Sequence, residues 1–287
     1  MLLIKLFRVH HWVKNFFVFV PIFFAGQIFD FNRYNDLILA FLSFSLVASS
    51  IYVFNDIADL KADQLHPKKK LRPIASGKIT KTTAWILCGI ALLGGLGLAY
   101  LLNTSFQILL ISYLVINASY SMGLKHFSIV DIFLVASGFL IRIYAGGVVS
   151  SVAVSHWLAI MIMLLSLFLA LAKRRDDIIL NGTTGELRKS VRHYNLDFIN
   201  SCLSIFSGVI IVAYLLYTVS PEVIERFNTD WLFLTSLFVI AGIMRYLQIT
   251  FVEQNSGSPT SILLRDKFII GTLIGWVISF YIIIYIQ

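Results

Sequence analysis

The chain has 287 residues, of which 58% are hydrophobic and 13% charged, roughly half the charge of an average soluble domain. That composition, with a mean hydropathy of +0.84, excludes a water-soluble globular protein. The net charge of +8 would by itself suit a nucleic-acid binder, but the placement of charge matters more than its total, and the placement points to a membrane.

A helix crossing a bilayer of about 30 Å takes roughly 20 apolar residues. Nine such stretches follow one another, near 12–29, 36–55, 82–102, 105–122, 129–149, 153–172, 197–219, 230–250 and 267–286. They are continuously apolar rather than alternating, which argues for helices and against a barrel. The expected fold class is therefore all-α and integral to the membrane, a bundle of nine transmembrane helices forming one domain over 1–287. No soluble domain, low-complexity tract or internal repeat is expected. Met1 to Asn15 carries Lys5, Arg8 and Lys14 but no small-residue cleavage site follows, so it reads as retained sequence rather than a signal peptide. Cys88 and Cys202 fall inside spans, where a thiol behaves as a small apolar residue. Trp, Tyr and Phe, at 14%, suit interfacial belts and helix packing.

With the N-terminus on side one, the nine-span topology places 19 Lys and Arg on side one against only Arg33 and Arg226 on side two. Arg142 and Arg245 lie within spans. Such an imbalance in short loops predicts that side one is cytoplasmic, in the cell's inner membrane, with the C-terminus outside. The loops 56–81 and 173–196 are the longest polar stretches and form the expected active-site face.

The most specific segment is Asn55-Asp56-Ile57-Ala58-Asp59-Leu60-Lys61-Ala62-Asp63, at the inner end of the second span. With Asp56 at zero, a continued helix puts Asn55 at about −100°, Asp59 at about −60° and Asp63 at about −20°, so all four share one sector. Hard oxygen donors gathered this way suit Mg²⁺, which takes one or two carboxylates and leaves positions for water and phosphate. The plainer alternative is an acidic helix end offsetting a basic loop, but acids at a helix C-terminus are opposed by the macrodipole. Next comes His66-Pro67-Lys68-Lys69-Lys70-Leu71-Arg72-Pro73-Ile74-Ala75-Ser76-Gly77. A basic run beside a membrane is often a topology signal or an anionic-lipid contact. Beside the acids it gains a second use, since a polyphosphate needs cations while charge develops on its leaving oxygen.

These two segments together resemble the first signature of the UbiA superfamily of intramembrane prenyltransferases, and nine spans match that fold. The resemblance implies a UbiA-type helical bundle, a cytoplasmic-side polar cavity, bound Mg²⁺ and a lateral opening for a polyprenyl chain. Asp56, Asp59 and Asp63 are the implied catalytic acids, with Asn55 completing the metal ligands. Within the superfamily the details are most similar to the branch that moves phosphoribose from phosphoribosyl diphosphate onto a polyprenyl phosphate. That closer similarity rests on Arg8-Val9-His10-His11-Trp12-Val13-Lys14-Asn15, on Tyr120 to His126 continuing through Asp131 to Arg142 and Gly147, and on Lys173-Arg174-Arg175 with Arg188 and Tyr194 downstream. It extends to Pro259, Thr260 and Asp266. The implied substrate-binding residues are Lys14, Asn15, His66, Lys69, Arg72, Tyr120, Lys125, Arg142, Lys173, Arg174, Arg175, Arg188 and Tyr194.

Two departures stand out. Superfamily members with aromatic acceptors carry a second Asp-x-x-x-Asp motif in the 173–196 loop, where this chain has Lys173-Arg174-Arg175-Asp176-Asp177. Cations there suit phosphates that are held directly, because Arg pairs with phosphate through a planar fork; a further topology marker is the simpler reading. Gln64 also stands where Arg is expected after the third Asp. Arg142 lies about 16 Å along a straight helix from Asp131, and an unpaired Arg at that depth costs about 2.5 to 3.5 kcal/mol. Substrate contact is one explanation; pairing with a structural carboxylate, or snorkelling, is the other.

The expected activity is Mg²⁺-dependent transfer of phosphoribose to a polyprenyl phosphate at the cytoplasmic face, releasing diphosphate. The same acid motif would serve an isoprenyl diphosphate donor and an aromatic or lipid acceptor. A non-catalytic transporter or lipid-binding protein is the remote alternative; transporters place ion and substrate sites near the midplane on broken helices, which fits poorly with charges kept, apart from Arg142, at one surface. Gly94, Gly95 and Gly97 allow close helix contact within or between chains, which leaves a homo-oligomer open.

Overall fold

The computed structural model describes residues 2–65, 69–182, 194–253, 262 and 265–286. Among them every regular element is helical, and eight helices are long and apolar enough to cross a membrane. We number these α1 Tyr34–Ala58, α2 Lys81–Tyr100, α3 Thr104–Met122, α4 Val130–Val149, α5 His156–Gly182, α6 Leu196–Thr218, α7 Ser236–Phe251 and α8 Lys267–Tyr281. Their starts follow from side chains that cap them. Thr80, Asn103, Asn195 and Asp266 each accept the backbone N–H three residues on, at 3.2, 2.9, 2.7 and 2.9 Å, satisfying donors that the first turn leaves without helical partners.

The stretch expected as the span 12–29 takes another form. Val9–Phe19 is a 3₁₀ helix of 11 residues, followed by a short α-helix at Val20–Phe24 with Pro21 in its first turn. Val, His, Trp and Phe crowd this segment, residues that lose rotamer freedom in an α-helix. Eleven residues at about 2.0 Å and five at about 1.5 Å, laid end to end, rise roughly 30 Å, the thickness of a hydrocarbon core. Apolar length was legible in the sequence; the tighter winding was not.

The contacts divide the chain into two compact units, Met1–Lys125 with Ser137–Val154, and His126–Ala136 with Ser155–Gln287. In the first, α1 is the central helix, packed against α2, α3 and the 3₁₀ segment. Lipid supplies no hydrophobic force between helices, so association depends on close packing at small residues. A Cβ on Gly95 of α2 would stand 2.7 Å from Val47 Cγ2, and Ser43 Oγ of α1 donates to the Gly95 carbonyl at 2.8 Å. Gly146 of α4 is tighter still, since a Cβ there would run into the Val18 carbonyl. Val18, Ile22, Leu37, Phe44, Phe106 and Leu110 form the main core of this unit. A second cluster, of Leu6, Val53, Ile57, Ile74, Ile79, Ala84 and Cys88, gathers under the acid motif. Cys88 is buried and its thiol donates to the Ser50 carbonyl at 3.3 Å, the role of a small apolar residue.

In the second unit α5 packs on α6, and α7 packs on both α6 and α8. Its core joins Ile132 and Ala136 of the first turns of α4 to Leu167, Phe168, Ile199, Leu203, Tyr246 and Ile269. Large side chains such as Ile86, Leu93, Ile205, Val212, Leu237 and Ile274 remain exposed, as expected of faces that meet lipid.

Candidate active site

The acid motif lies where α1 ends. Backbone hydrogen bonds continue past the last helical residue, from Asp59 N–H to Asn55 at 2.9 Å and from Asp63 N–H to Asp59 at 2.8 Å. Asp59 itself relaxes to φ −88°, ψ 7°, and a short helix, Leu60–Leu65, follows. The helical register therefore holds well enough to bring Asp56 and Asp63 to one side. Both are buried, at 3% and 2% exposure. They share a single donor: Nη1 of Arg72 lies 3.0 Å from Asp56 Oδ1 and 2.5 Å from Asp63 Oδ2. The Arg8 guanidinium is the second partner of Asp56 Oδ1 and lies 5.0 Å from the Tyr52 ring centre. The bend turns Asp59 elsewhere, so that both its oxygens accept from Lys125 Nζ, at 2.8 and 2.9 Å. Of the four donors expected to face one point, two share a cation, Asp59 faces Lys125, and Asn55 lies half-buried on the last turn of α1.

Arg72 owes its position to the turn behind it. Ser76 N–H bonds the Arg72 carbonyl at 2.9 Å, Gly77 N–H that of Ile74 at 3.0 Å and Ile79 N–H that of Pro73 at 3.0 Å. Gly77 supplies the positive φ of 74° that the turn requires. Ile74 and Ile79, at 4% and 6% exposure, anchor the loop in the core below. Arg8 is held by a different device, a left-handed backbone at φ 48° and ψ 48° that opens the 3₁₀ segment.

Deeper in the same unit Arg142 is enclosed, with 5% exposure. Its Nε donates to Asn15 Oδ1 at 2.8 Å, Nη1 to the Gly138 carbonyl at 2.7 Å and Nη2 to the Tyr113 hydroxyl at 2.9 Å. The Tyr113 ring lies 4.6 Å from the guanidinium carbon. Asn15 in turn donates to Ser45 Oγ at 2.9 Å, so Arg142 ties the 3₁₀ segment, α1, α3 and α4 together. Its hydrogen-bond partners are neutral groups of the protein rather than the carboxylate that the structural alternative expected.

In the second unit the basic run lies inside α5, which continues as helix to Gly182 where a loop from 173 was expected. Arg174 and Arg175 are buried at 2% and 5% exposure, while Lys173 is exposed. Arg174 Nε stands 2.7 Å from Oδ2 of fully buried Asp131, an ion pair whose angle is too poor for a hydrogen bond. Its Nη1 bonds Asp177 Oδ2 at 2.7 Å. Arg175 Nε donates to Asn200 at 2.9 Å, and its guanidinium lies 5.5 Å from the Phe251 ring centre. The Tyr194 hydroxyl accepts from the Ile129 N–H at 2.5 Å and donates to Asp131 at 3.4 Å. Burial pushes the Tyr194 phenol above its ordinary pKa, keeping it a neutral donor.

Lys14 and Tyr120 are half-buried on the 3₁₀ segment and the last turn of α3, and Lys69 opens the turn before Arg72. His66 and Arg188 lie outside the described residues, as do Pro259 and Thr260. Among the described residues no three Asp, Glu, His or Cys side chains converge as a ready-made metal cage. Two converging carboxylates nevertheless fit a Mg²⁺ site, because this ion keeps several positions for water and substrate phosphates.

The geometry agrees with a comparison to known proteins, which matches residues 15–269 to the UbiA prenyltransferase family. The chain belongs to that family. It is 31% identical to the decaprenyl-phosphate phosphoribosyltransferase of Mycolicibacterium smegmatis, over 96% of this chain and 90% of the relative. The protein of the same name from Corynebacterium glutamicum is 30% identical, over 99% of this chain and 87% of the relative. Among solved structures, a UbiA homolog from Archaeoglobus fulgidus bound to DMAPP and Mg²⁺ superposes over 100% of both chains with a TM-score of 0.74 at 19% identity. UbiA prenyltransferases are transferases, and the fold and the membrane character of this chain are those of the family. For a UbiA protein the residue that sequence reasoning left out of the site is Arg8. Its signal was present: it opens the basic and aromatic segment on which the resemblance rested.

Proposed function

We propose that this UbiA protein transfers 5-phosphoribosyl from phosphoribosyl diphosphate to a polyprenyl phosphate, with Mg²⁺, at the cytoplasmic face of the inner membrane. The observation that carries the reading is the convergence of Asp56 and Asp63 on one cationic point, in a chain that resembles phosphoribosyltransferases over nearly its whole length. In the reaction an oxygen of the acceptor phosphate attacks C1 of the ribose, the C1–O bond to diphosphate breaks, and diphosphate leaves with that electron pair. The sugar passes through oxocarbenium character, as glycosyl centres do. A phosphate acceptor is already anionic near neutral pH, so positioning contributes more than a general base.

Mg²⁺ bound by Asp56 and Asp63, with Asn55 and Asp59 beside them, would neutralise charge developing on the departing diphosphate. Lys69, Arg72 and Lys125, on the same unit, hold the diphosphate oxygens in this reading. Arg142 acts by ordering Asn15 and Tyr113, which keeps the segment carrying Arg8 and Lys14 against α1. In the second unit Lys173, exposed on α5, is read as a grip for phosphate, whereas Arg174, Arg175 and Tyr194 are engaged by Asp131 and Asn200. The 19 to 2 distribution of Lys and Arg supports an N-terminus inside and a C-terminus outside.

The test is to incubate purified protein with ribose-labelled phosphoribosyl diphosphate and a polyprenyl phosphate, and in parallel with an isoprenyl diphosphate and an aromatic or lipid acceptor. Label passing to lipid in the first mixture, abolished by EDTA, is the expected result. Activity only in the second mixture overturns the donor assignment and leaves an isoprenyl transferase.

A further inference from the structure

Each carboxylate of the acid motif meets a side-chain cation, from the loop that follows it or from a distant part of the chain. Arg8 and Arg72 engage Asp56, Arg72 also engages Asp63, and Lys125 engages Asp59. A divalent ion and a diphosphate require the same two sets of groups. Oxygen-loving cations take carboxylates, and phosphate oxygens take guanidinium and ammonium donors. The three carboxylates and three cations balance in charge. A divalent ion arriving alone therefore puts excess positive charge into a buried cluster, and an anion arriving alone meets cations already paired.

We propose that Arg8, Arg72 and Lys125 are exchange cations. Each passes from its carboxylate to an oxygen of the diphosphate as the carboxylate turns to the divalent ion, so that metal and diphosphate bind tightly only together. The inference rests on the metal-diphosphate reading above and adds how the site avoids taking up either partner alone. Exposure permits the exchange. The side chains of Arg8, Arg72, Lys125 and Asp59 are 18%, 26%, 11% and 32% exposed, so they can reorient while Asp56 and Asp63 stay sheltered. No chain segment has to move far, because Arg72 already touches two of the carboxylates.

The experiment uses the full chain in detergent, with Mn²⁺ as a probe of the same oxygen ligands and labelled inorganic diphosphate as the anion. Free Mn²⁺ is read by electron paramagnetic resonance and bound diphosphate by equilibrium dialysis, after correction for the complex they form in solution. In the wild type each probe alone binds at least about tenfold more weakly than it does with the other, the scale of coupling between close charge pairs. Lys125→Gln removes a cation from the most exposed pair and Arg72→Gln removes the shared one. Both should bind Mn²⁺ alone about tenfold more tightly and the Mn²⁺–diphosphate pair about tenfold more weakly. Arg72→Lys, which restores charge, should move both values back toward wild type. A residue that merely supports the fold would weaken both affinities together, and that result in Lys125→Gln overturns the exchange. Equal Mn²⁺ affinity with and without diphosphate in the wild type also overturns it, while leaving the site itself intact. If neither probe binds the wild type in any combination, the metal-diphosphate reading fails as well.

Discussion

The charged clusters of the two units use the same residue types to opposite ends. In the first unit Asp59, Arg8 and Arg72 are between 18% and 32% exposed, and a single guanidinium serves two carboxylates. In the second, Asp131 and Arg174 are 0% and 3% exposed, and Tyr194 closes over the carboxylate. A charge pair sealed from water resists exchange, because either partner alone bears the full cost of desolvation. One that keeps access to water can trade partners. The comparison assigns a chemical task to the end of α1 and a fastening task to the Asp131–Arg174 pair, although the sequence presents both as clusters of acids and bases.

Breaking the sealed pair should have the largest effect on stability. Asp131→Asn removes the buried counter-ion of Arg174 while Asp177 stays in place, and should cost up to about 3–5 kcal/mol, read as a lowered Tm and loss of monodisperse protein. Asp131→Leu combined with Arg174→Met should recover much of that loss. If Asp131→Asn folds and melts like the wild type, the pair is no fastening.

At the open cluster the loss should be in turnover instead. Asp59→Ala is expected to lower the transfer rate by a hundredfold or more, about 2.7 kcal/mol of barrier or above, with Tm nearly unchanged because the side chain packs little. Undiminished transfer by this variant would remove Asp59 from the site. A smaller effect tests what holds Arg8 and Asn15 in place. Gly146→Ala pushes a methyl into the Val18 carbonyl, and overpacking of this kind costs about 1–3 kcal/mol. Stability should fall by that amount, read as a lowered Tm, and KM for the donor should rise with it if the 3₁₀ segment carries substrate contacts.

The smallest effect belongs to Arg245 and Asp266, joined at 2.8 Å at the surface of the second unit. The Arg245 hydrogen bond holds the Asp266 carboxyl below its ordinary range. A lowered folded pKa means that the contribution is complete above the unfolded value of about 4 and fades as pH falls through the folded one. Asp266→Asn keeps a side chain able to cap α8, so its Tm should differ slightly from wild type at pH 7 and the difference should shrink at pH 3.5. A gap that widens on acidification would contradict the sign.

Much of the architecture is a local property of the chain. Apolar length marked the existence of α1 to α8, since each span satisfies its own backbone and must be apolar over the bilayer's thickness, but it missed that α5 runs on through the basic residues to Gly182. Thr80, Asn103, Asn195 and Asp266 cap their helices from the position just before each, a local device seen in the structure. The spacing of Asp56 and Asp63 was enough to place them on one side of a continuing helix, and they do converge. Asp59 escaped that reasoning because the helix relaxes at that residue, and the 3₁₀ winding of Val9–Phe19 escaped it because apolar content does not distinguish pitch.

What only the tertiary structure decided is which charge meets which. Arg8 and Asp56 are separated by 48 residues, Asp59 and Lys125 by 66, and Asn15 and Arg142 by 127. Periodicity along a helix reports the face on which a side chain lies. It is silent about the neighbour opposite, which depends on how closely backbones approach at Gly95 and Gly146. Hydropathy and motif spacing therefore determined the membrane bundle and the acid cluster, whereas the partners Arg8 and Lys125 of those acids follow from packing between segments remote in the chain.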